Sequence, residues 1–230
     1  MAIRIEHRFL DRLLPGPQIE EINYVIIGTF NPAAPIKHLL TKQESLAFGA
    51  IEESRKYKRF NEVRNFYDRP QNRFWKIMDL IHNESFYKTS PIKTKNIGGY
   101  KYYKGMDRDL VFERQNKFCS QKGILITDIV RAIEPATFVN IYDKFPDLGI
   151  EQSTCEWNTD GIIKVIEKFN PKRVLINFRI NNRAIPKISF QAEIIKKKYE
   201  NRVFNVDSTS GNAGYTYSAL FETWSKHFTR

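Results

Sequence analysis

The feature that most constrains this chain is a set of four short apolar runs, rich in β-branched residues, with segments between them that are long enough to form helices. The runs cover residues 24–28, 124–128, 173–177 and 203–206. Short continuous apolar runs are typical of strands that are buried on both faces. Because strands that alternate with helices form parallel sheets, we expect an α/β fold, a three-layer α/β/α sandwich with a central four-stranded parallel sheet.

Helical patterns occupy the segments between these strands. Apolar residues follow helical spacing at residues 72–83, 159–169 and 188–199 and in a last helix that contains Tyr217, Leu220 and Trp224. Residues 106–122 fit a polar helix or loop, which Gly123 would end. Since no repeat and no Gly/Pro/Ser-rich linker interrupts the chain, we expect a single domain over residues 1–230, with a polar insert at about residues 35–66.

Charge and composition narrow the function classes. The chain has 230 residues and a formal net charge of +11, and such a surplus favours polyanion partners such as nucleic acid. Basic residues are densest at 55–59, 93–104 and 196–198, although each run alone could be a solvated surface. No segment reaches the roughly 18 uncharged apolar residues that a membrane span requires. A charged N-terminus without an apolar signal core predicts a cytoplasmic protein, which we expect to be a monomer with no membrane partner.

Metal and cofactor chemistry is not indicated. The two cysteines are too few for a four-thiolate site, and the four histidines show no ligand spacing. A Walker phosphate loop and the His-x-Glu and Cys-x-x-Cys strings of zinc deaminases are missing from the sequence. We therefore expect neither a metal nor a cofactor.

Polar, turn-forming residues follow the predicted strands. Thr29 comes directly after the first strand, Asp128 and Asn177 close the second and third, and Asp207 begins the loop after the fourth. In parallel sheets, ligands bind beyond the carboxyl ends of the strands. These four loops are therefore expected to converge on one pocket.

Four motifs, in order along the chain, resemble the signatures of the uracil-DNA glycosylase superfamily. They are residues 28–33 (GTFNPA), 67–75 (YDRPQNRFW), 123–129 (GILITDI) and 207–213 (DSTSGNA). The second and fourth are most similar to those of the hypoxanthine-DNA glycosylase branch. The resemblance implies an enzyme that flips a damaged, deaminated base out of DNA and hydrolyses its N-glycosidic bond. Abasic-site cleavage is not expected, because no lysine falls in the matched motifs.

The resemblance also implies which residues are catalytic. Asn72 matches the Asn that places the attacking water in hypoxanthine-type enzymes, and Asn31 matches the Asn-Pro pair that carries the catalytic Asn of mismatch-specific uracil glycosylases. A side-chain amide can orient a water, but it cannot take up a proton at neutral pH. From the residues alone, Asn72 could instead cap the helix that follows it, and Asn31 could instead belong to a turn.

Other residues would bind the base and the DNA. Tyr67 matches the position where relatives stack a ring on the flipped base, Asp128 matches the position that reads its Watson–Crick edge, and Phe30 and Asn177 belong to the same predicted pocket. Asp128 could alternatively cap a turn. The candidates for contact with the DNA backbone are Ser208, Thr209, Ser210, Asn212 and Tyr215, with Tyr215 or Tyr217 as a wedge, although helix-start chemistry explains the Ser and Asn residues equally well.

Two other functions remain open at this point. One is a nucleic-acid-binding protein of the same fold that has no catalytic activity. The other is a hydrolase of free nucleosides or nucleotides, which would need neither the basic runs nor a wedge loop.

Overall fold

Seven strands and seven helices are present in the computed structural model, which describes residues 3–10, 21–35, 37–54, 63–68, 72–82, 107–135, 146–210 and 213–228. The strands are β1 (Ile5–Glu6), β2 (Tyr24–Gly28), β3 (Ile124–Asp128), β4 (Val130–Glu134), β5 (Thr154–Trp157), β6 (Arg173–Ile176) and β7 (Val203–Asn205). The helices are α1 (Lys42–Glu53), α2 (Phe74–His82), α3 (Arg108–Lys122), α4 (Pro146–Glu151), α5 (Thr159–Phe169), α6 (Pro186–Lys198) and α7 (Tyr217–Phe228). A 3-10 turn covers Lys37–Leu39.

A parallel sheet of four strands, in the order β3-β2-β6-β7, lies at the centre of the fold. Ile26 of β2 pairs with Ile126 of β3 on one side and with Leu175 of β6 on the other. Each of these strands lies on a run that the apolar pattern had marked, so the predicted α/β fold with a central four-stranded parallel sheet is confirmed.

Helices cover both faces of this sheet. Successive residues of a strand point to opposite faces, and β2 accordingly contributes to two separate core clusters. Val25 belongs to one cluster with Ile162 of α5 and Ile188 of α6. Ile26 belongs to the other, with Trp224 of α7 and buried residues of α2 and α3. The fold thus has three layers.

A second, antiparallel sheet of three strands, in the order β1-β4-β5, did not emerge from the sequence pattern. β1 pairs with β4 so that Ile5 is opposite Ile133. The same N-terminal segment also contacts the loop after β2, where the Arg8 N–H donates to the Asn31 carbonyl at 2.7 Å. None of these three strands is a continuous apolar run, which is the pattern that marked the central strands. This sheet brings residues 3–10 to the carboxyl edge of the central sheet.

The polar insert contains helix α1. Thr41 forms a capping box with Glu44 at its start, and Phe48 is buried on its inner side. The basic run at 55–59 lies outside the described residues, as does the run at 93–104. Among the described helices, none has the length and apolar composition that crossing a bilayer would require.

Gly123 ends α3 in the left-handed conformation, as the sequence predicted, with a φ of +63°. A Cβ atom there would lie 2.7 Å from Asn23 Nδ2 and 2.8 Å from the Glu21 carbonyl oxygen. We expect Gly123→Ala to lower the free energy of unfolding by about 1–3 kcal/mol, because it adds backbone strain to this crowding.

Equilibrium urea denaturation measures this effect, and Gly49→Ala is the matched control. A Cβ on Gly49, in α1, meets nothing within 4 Å. The control should raise stability by roughly 0.5–1 kcal/mol, because alanine favours the helix. Equal effects of the two substitutions would contradict the role assigned to Gly123.

Candidate functional site

The order of the central sheet places a topological switch point at its carboxyl edge. β2 has β3 on one side and β6 on the other, and the crossovers that lead to these two neighbours pack on opposite faces. Loops that leave such a switch point diverge, and ligands bind between them. The residues at the three strand ends are Gly28, Asp128 and Asn177, the last of which donates its N–H to the Ile27 carbonyl at 2.8 Å.

Asp128 is the centre of the hydrogen-bond network at this edge. His7 Nε2 lies 2.8 Å from its Oδ2, and Asn31 Nδ2 donates to the same oxygen at 2.6 Å. Only 1% of the Asp128 side chain is exposed, and the same holds for His7. The Asn158 amide donates to the Asp128 backbone carbonyl at 3.0 Å and holds the strand end in place. The site therefore contains a buried carboxylate with two donors on one oxygen.

Gly28 leaves the space into which the second Asp128 oxygen projects. A Cβ on Gly28 would lie 2.3 Å from Asp128 Oδ1 and 2.5 Å from the Tyr67 hydroxyl. Both of these atoms are buried and neither makes a hydrogen bond of normal geometry, although the Asn177 side chain lies close enough to the Tyr67 hydroxyl to act on it. Burial raises the pKa of the Tyr67 phenol well above its ordinary value, and the negative charge of Asp128 adds to this, whereas the Asn177 amide acts in the opposite direction. A donor and an acceptor thus meet at the glycine.

The turn that carries Tyr67 is strained and firmly held. Tyr67 has a φ of +56°, which is uncommon for a residue other than glycine. Trp75 Nε1 donates to the Phe66 carbonyl at 2.8 Å on one side of it, and Arg108 donates to Asp68 at 2.5 Å on the other. The Tyr67 ring packs against Phe74, with centroids 4.7 Å apart. Such strain persists only where surrounding contacts enforce it, and it is common at functional sites.

The fourth motif contacts the strand ends through Asn177. Its Nδ2 donates to Thr209 Oγ1 at 2.9 Å, and the Thr209 N–H donates back to Asn177 Oδ1 at 3.0 Å. Thr209 is fully buried, so its side chain belongs to the interior of the site and not to the surface that a DNA backbone would contact. This reciprocal pair places the loop after β7 beside the strand ends, as the sequence predicted for the four loops.

Asn72 lies at the start of α2, where its Oδ1 accepts the Phe74 N–H at 2.9 Å. Asn72 therefore makes the helix-capping contact that the sequence offered as its alternative role. Arg73 connects this end of α2 to the fourth motif, since it donates to the Ser210 carbonyl at 2.7 Å and to the Tyr215 carbonyl. The second and fourth motifs are consequently held together.

The remaining candidates are placed differently. Phe30 is buried in the core and packs edge-on against His7, with centroids 5.6 Å apart. Ser208 Oγ accepts the Ser210 N–H at 3.3 Å, which is a turn contact of the loop. Tyr215 is exposed, whereas Asn212 lies outside the described residues. Within the described part of the chain, no group of three His, Cys, Asp or Glu side chains is placed to hold a metal ion.

Sequence reasoning missed His7, although a signal for it existed. Ile3, Ile5, His7 and Phe9 are all buried and alternate with more exposed residues. This period of two is that of a strand with one buried face, and a histidine on the buried face must find a polar partner.

The comparisons with known proteins do not identify a family for this chain. No protein-family model matches it, and no curated protein matches it.

The buried carboxyl group of Asp68 should make the free energy of unfolding depend on pH. Burial raises its pKa from 3.8 to about 6, and the positive charge of Arg108 only partly opposes this. The folded state therefore binds the proton more tightly than the unfolded state does, so the contribution of Asp68 to stability is fully present below pH 4 and is lost as the pH rises through 6. That loss should be on the order of 3 kcal/mol.

Urea denaturation of the wild type and of Asp68→Asn between pH 4 and pH 7 measures this contribution. The stability of the wild type relative to the variant should decrease across that range, because asparagine does not titrate. A difference that stays constant or grows with pH would contradict the interpretation.

Proposed function

We propose that this protein is a monofunctional DNA glycosylase that flips a deaminated base into a crevice between the strand-end loops and hydrolyses its N-glycosidic bond. The observation that carries the proposal is the meeting of Asp128 Oδ1 and the Tyr67 hydroxyl at Gly28, with Asn31 bonded to the same carboxylate. Buried polar atoms without partners are costly, so a pair of them at a ligand-binding edge favours a ligand that pairs both. We also propose that the protein is cytoplasmic and monomeric, as the sequence predicted.

The two unpaired atoms match the edge of a deaminated base. Hypoxanthine and uracil both present a ring N–H beside a carbonyl oxygen. A carboxylate oxygen accepts from the N–H, and a phenol donates to the carbonyl. Adenine and cytosine present an unprotonated ring nitrogen beside an amino group, which would place a lone pair against Asp128. The proposal therefore predicts preference for hypoxanthine over adenine and for uracil over cytosine. A tyrosine whose hydroxyl donates to the edge of a base cannot also stack its ring on the face of that base, so this pairing replaces the stacking that the resemblance implies for Tyr67.

The contacts favour Asn31 over Asn72 as the residue that places the water. A water that attacks the sugar must donate a hydrogen bond to its holder, so the holder needs an amide oxygen. Asn31 uses its nitrogen for Asp128, which directs its oxygen away from that carboxylate. Asn72 already uses its oxygen for the Phe74 N–H. Asn72 remains the alternative that the resemblance implies.

A base-release assay tests the proposal. Duplexes that carry hypoxanthine, uracil, a mismatched thymine or no lesion are incubated with excess protein and then cleaved with alkali. We expect cleavage at hypoxanthine or uracil and none at the undamaged base. Asn31→Ala should lower the single-turnover rate at least about 100-fold, the usual range for a lost proton-handling or positioning group.

Asn201→Ala is the matched control, because Asn201 is exposed in a turn between α6 and β7. Its rate should equal that of the wild type, whereas Asn72→Ala reports whether the capping residue contributes. Cleavage that survives Asn31→Ala and Asn72→Ala together would contradict the assigned water site.

The same panel separates the two rivals. Salt-sensitive binding to every duplex without base release would indicate a binding protein. Hydrolysis of free nucleosides that undamaged DNA does not inhibit would indicate the nucleoside hydrolase. The net charge of +11 and the loop that Arg73 anchors beside the crevice favour DNA over a free nucleoside.

A further inference from the structure

Both ring nitrogens of His7 are engaged, and the contacts define its tautomer. The Phe9 N–H donates to Nδ1 at 2.9 Å, so Nδ1 is an acceptor and carries no proton. The proton is therefore on Nε2, which lies 2.8 Å from Asp128 Oδ2. A neutral imidazole with one donor and one acceptor satisfies both contacts. His7 is thus held as a hydrogen-bond donor toward Asp128.

We propose that His7 is a positioning residue for Asp128. With His7 and Asn31 both donating to Oδ2, the plane of the carboxylate is fixed and Oδ1 is the oxygen directed at Gly28 and Tyr67. Loss of the His7 donor would free the carboxylate to rotate and to misalign Oδ1. The proposal rests on the proposed function, because it assigns Oδ1 to the base.

The surroundings of His7 strengthen this bond. Its ring is enclosed by Phe9, Phe30 and Phe66, with centroids 6.4, 5.6 and 5.4 Å from the imidazole. Apolar rings exclude water, and a hydrogen bond is stronger in such a medium than in solvent. Phe30, which the sequence had suggested for the base, therefore supports the residue that orients Asp128.

The backbone places His7 and Asn31 on the same carboxylate together. His7 forms an isolated antiparallel bridge with Pro32, and the Ala33 N–H donates to the Glu6 carbonyl at 2.9 Å. Any shift of the N-terminal segment would consequently move both donors.

Two substitutions of His7 separate its Nε2 contact with Asp128 from its Nδ1 contact with the Phe9 N–H. In His7→Gln, the amide nitrogen takes the place of Nε2 and still reaches Asp128. In His7→Asn, the shorter amide can reproduce only the Nδ1 contact to the Phe9 N–H. We expect His7→Asn to lower the single-turnover rate of base release by about 10- to 100-fold, with little change in the affinity for an uncleavable substrate analogue, and His7→Gln to recover most of the rate.

If His7 had only a structural role, its contact with the Phe9 N–H would matter most. His7→Asn, which keeps that contact, would then release the base faster than His7→Gln. His82→Gln is the control for loss of an aromatic-packed histidine. His82 lies on α2, away from the strand ends, and its ring packs between Phe118 and Phe228. The base-release rate of His82→Gln should therefore match that of the wild type. Equal rates for His7→Asn and His7→Gln would overturn the proposal.

A spectroscopic measurement keeps the inference apart from the proposed function. Nitrogen-15 NMR of the wild type should show a pyridine-like Nδ1 and a protonated Nε2 for His7, and Asp128→Asn should shift the Nε2–H signal. A proton on Nδ1, or a signal that Asp128→Asn leaves unchanged, would overturn the proposal even if the His7 variants do not fold. If the wild type releases no base while these NMR results hold, the glycosylase proposal fails and the pairing of His7 with Asp128 stands.

Discussion

Burial of the Asp128 carboxylate is the constraint on which the rest of the site depends. A charged group removed from water is costly unless donors replace its hydration. Here the donors come from two separate parts of the chain, His7 in the N-terminal segment and Asn31 after β2. The second sheet, in which β1 pairs with β4, brings the first of these donors into place.

Topology explains why this carboxylate lies at the edge of the sheet where ligands of parallel folds bind. β2 lies between β3 and β6, and helices cover both faces of the sheet, so the switch point of the fold falls at this carboxyl edge. Gly28 ends β2 at that edge and has no side chain to fill it. The Tyr67 hydroxyl and Asp128 Oδ1 occupy the space that a Cβ atom would require. The strand order of the sheet and the absence of a side chain at Gly28 together create the site.

Rigidity at this edge comes from contacts that cross between the matched motifs. The reciprocal bonds of Asn177 and Thr209 join β6 to the last loop, and Arg73 joins the same loop to α2. The left-handed backbone at Tyr67 is held by Asp68 and its partner Arg108. The proposed binding of an unstacked base would benefit from such preorganisation, because little ordering would then be required upon binding.

From the sequence alone, the parallel sheet, the end of α3 at Gly123 and the polar strand ends were determined, because apolar periodicity and glycine conformation are local properties. The grouping of Asp128, Asn177 and the Asn31 loop also followed, since parallel strands end at one edge. Only the tertiary structure decided that His7 bonds Asp128, 121 positions away, and that Phe30 supports His7. Hydrogen-bond partners across such separations depend on chain packing, which no local pattern encodes.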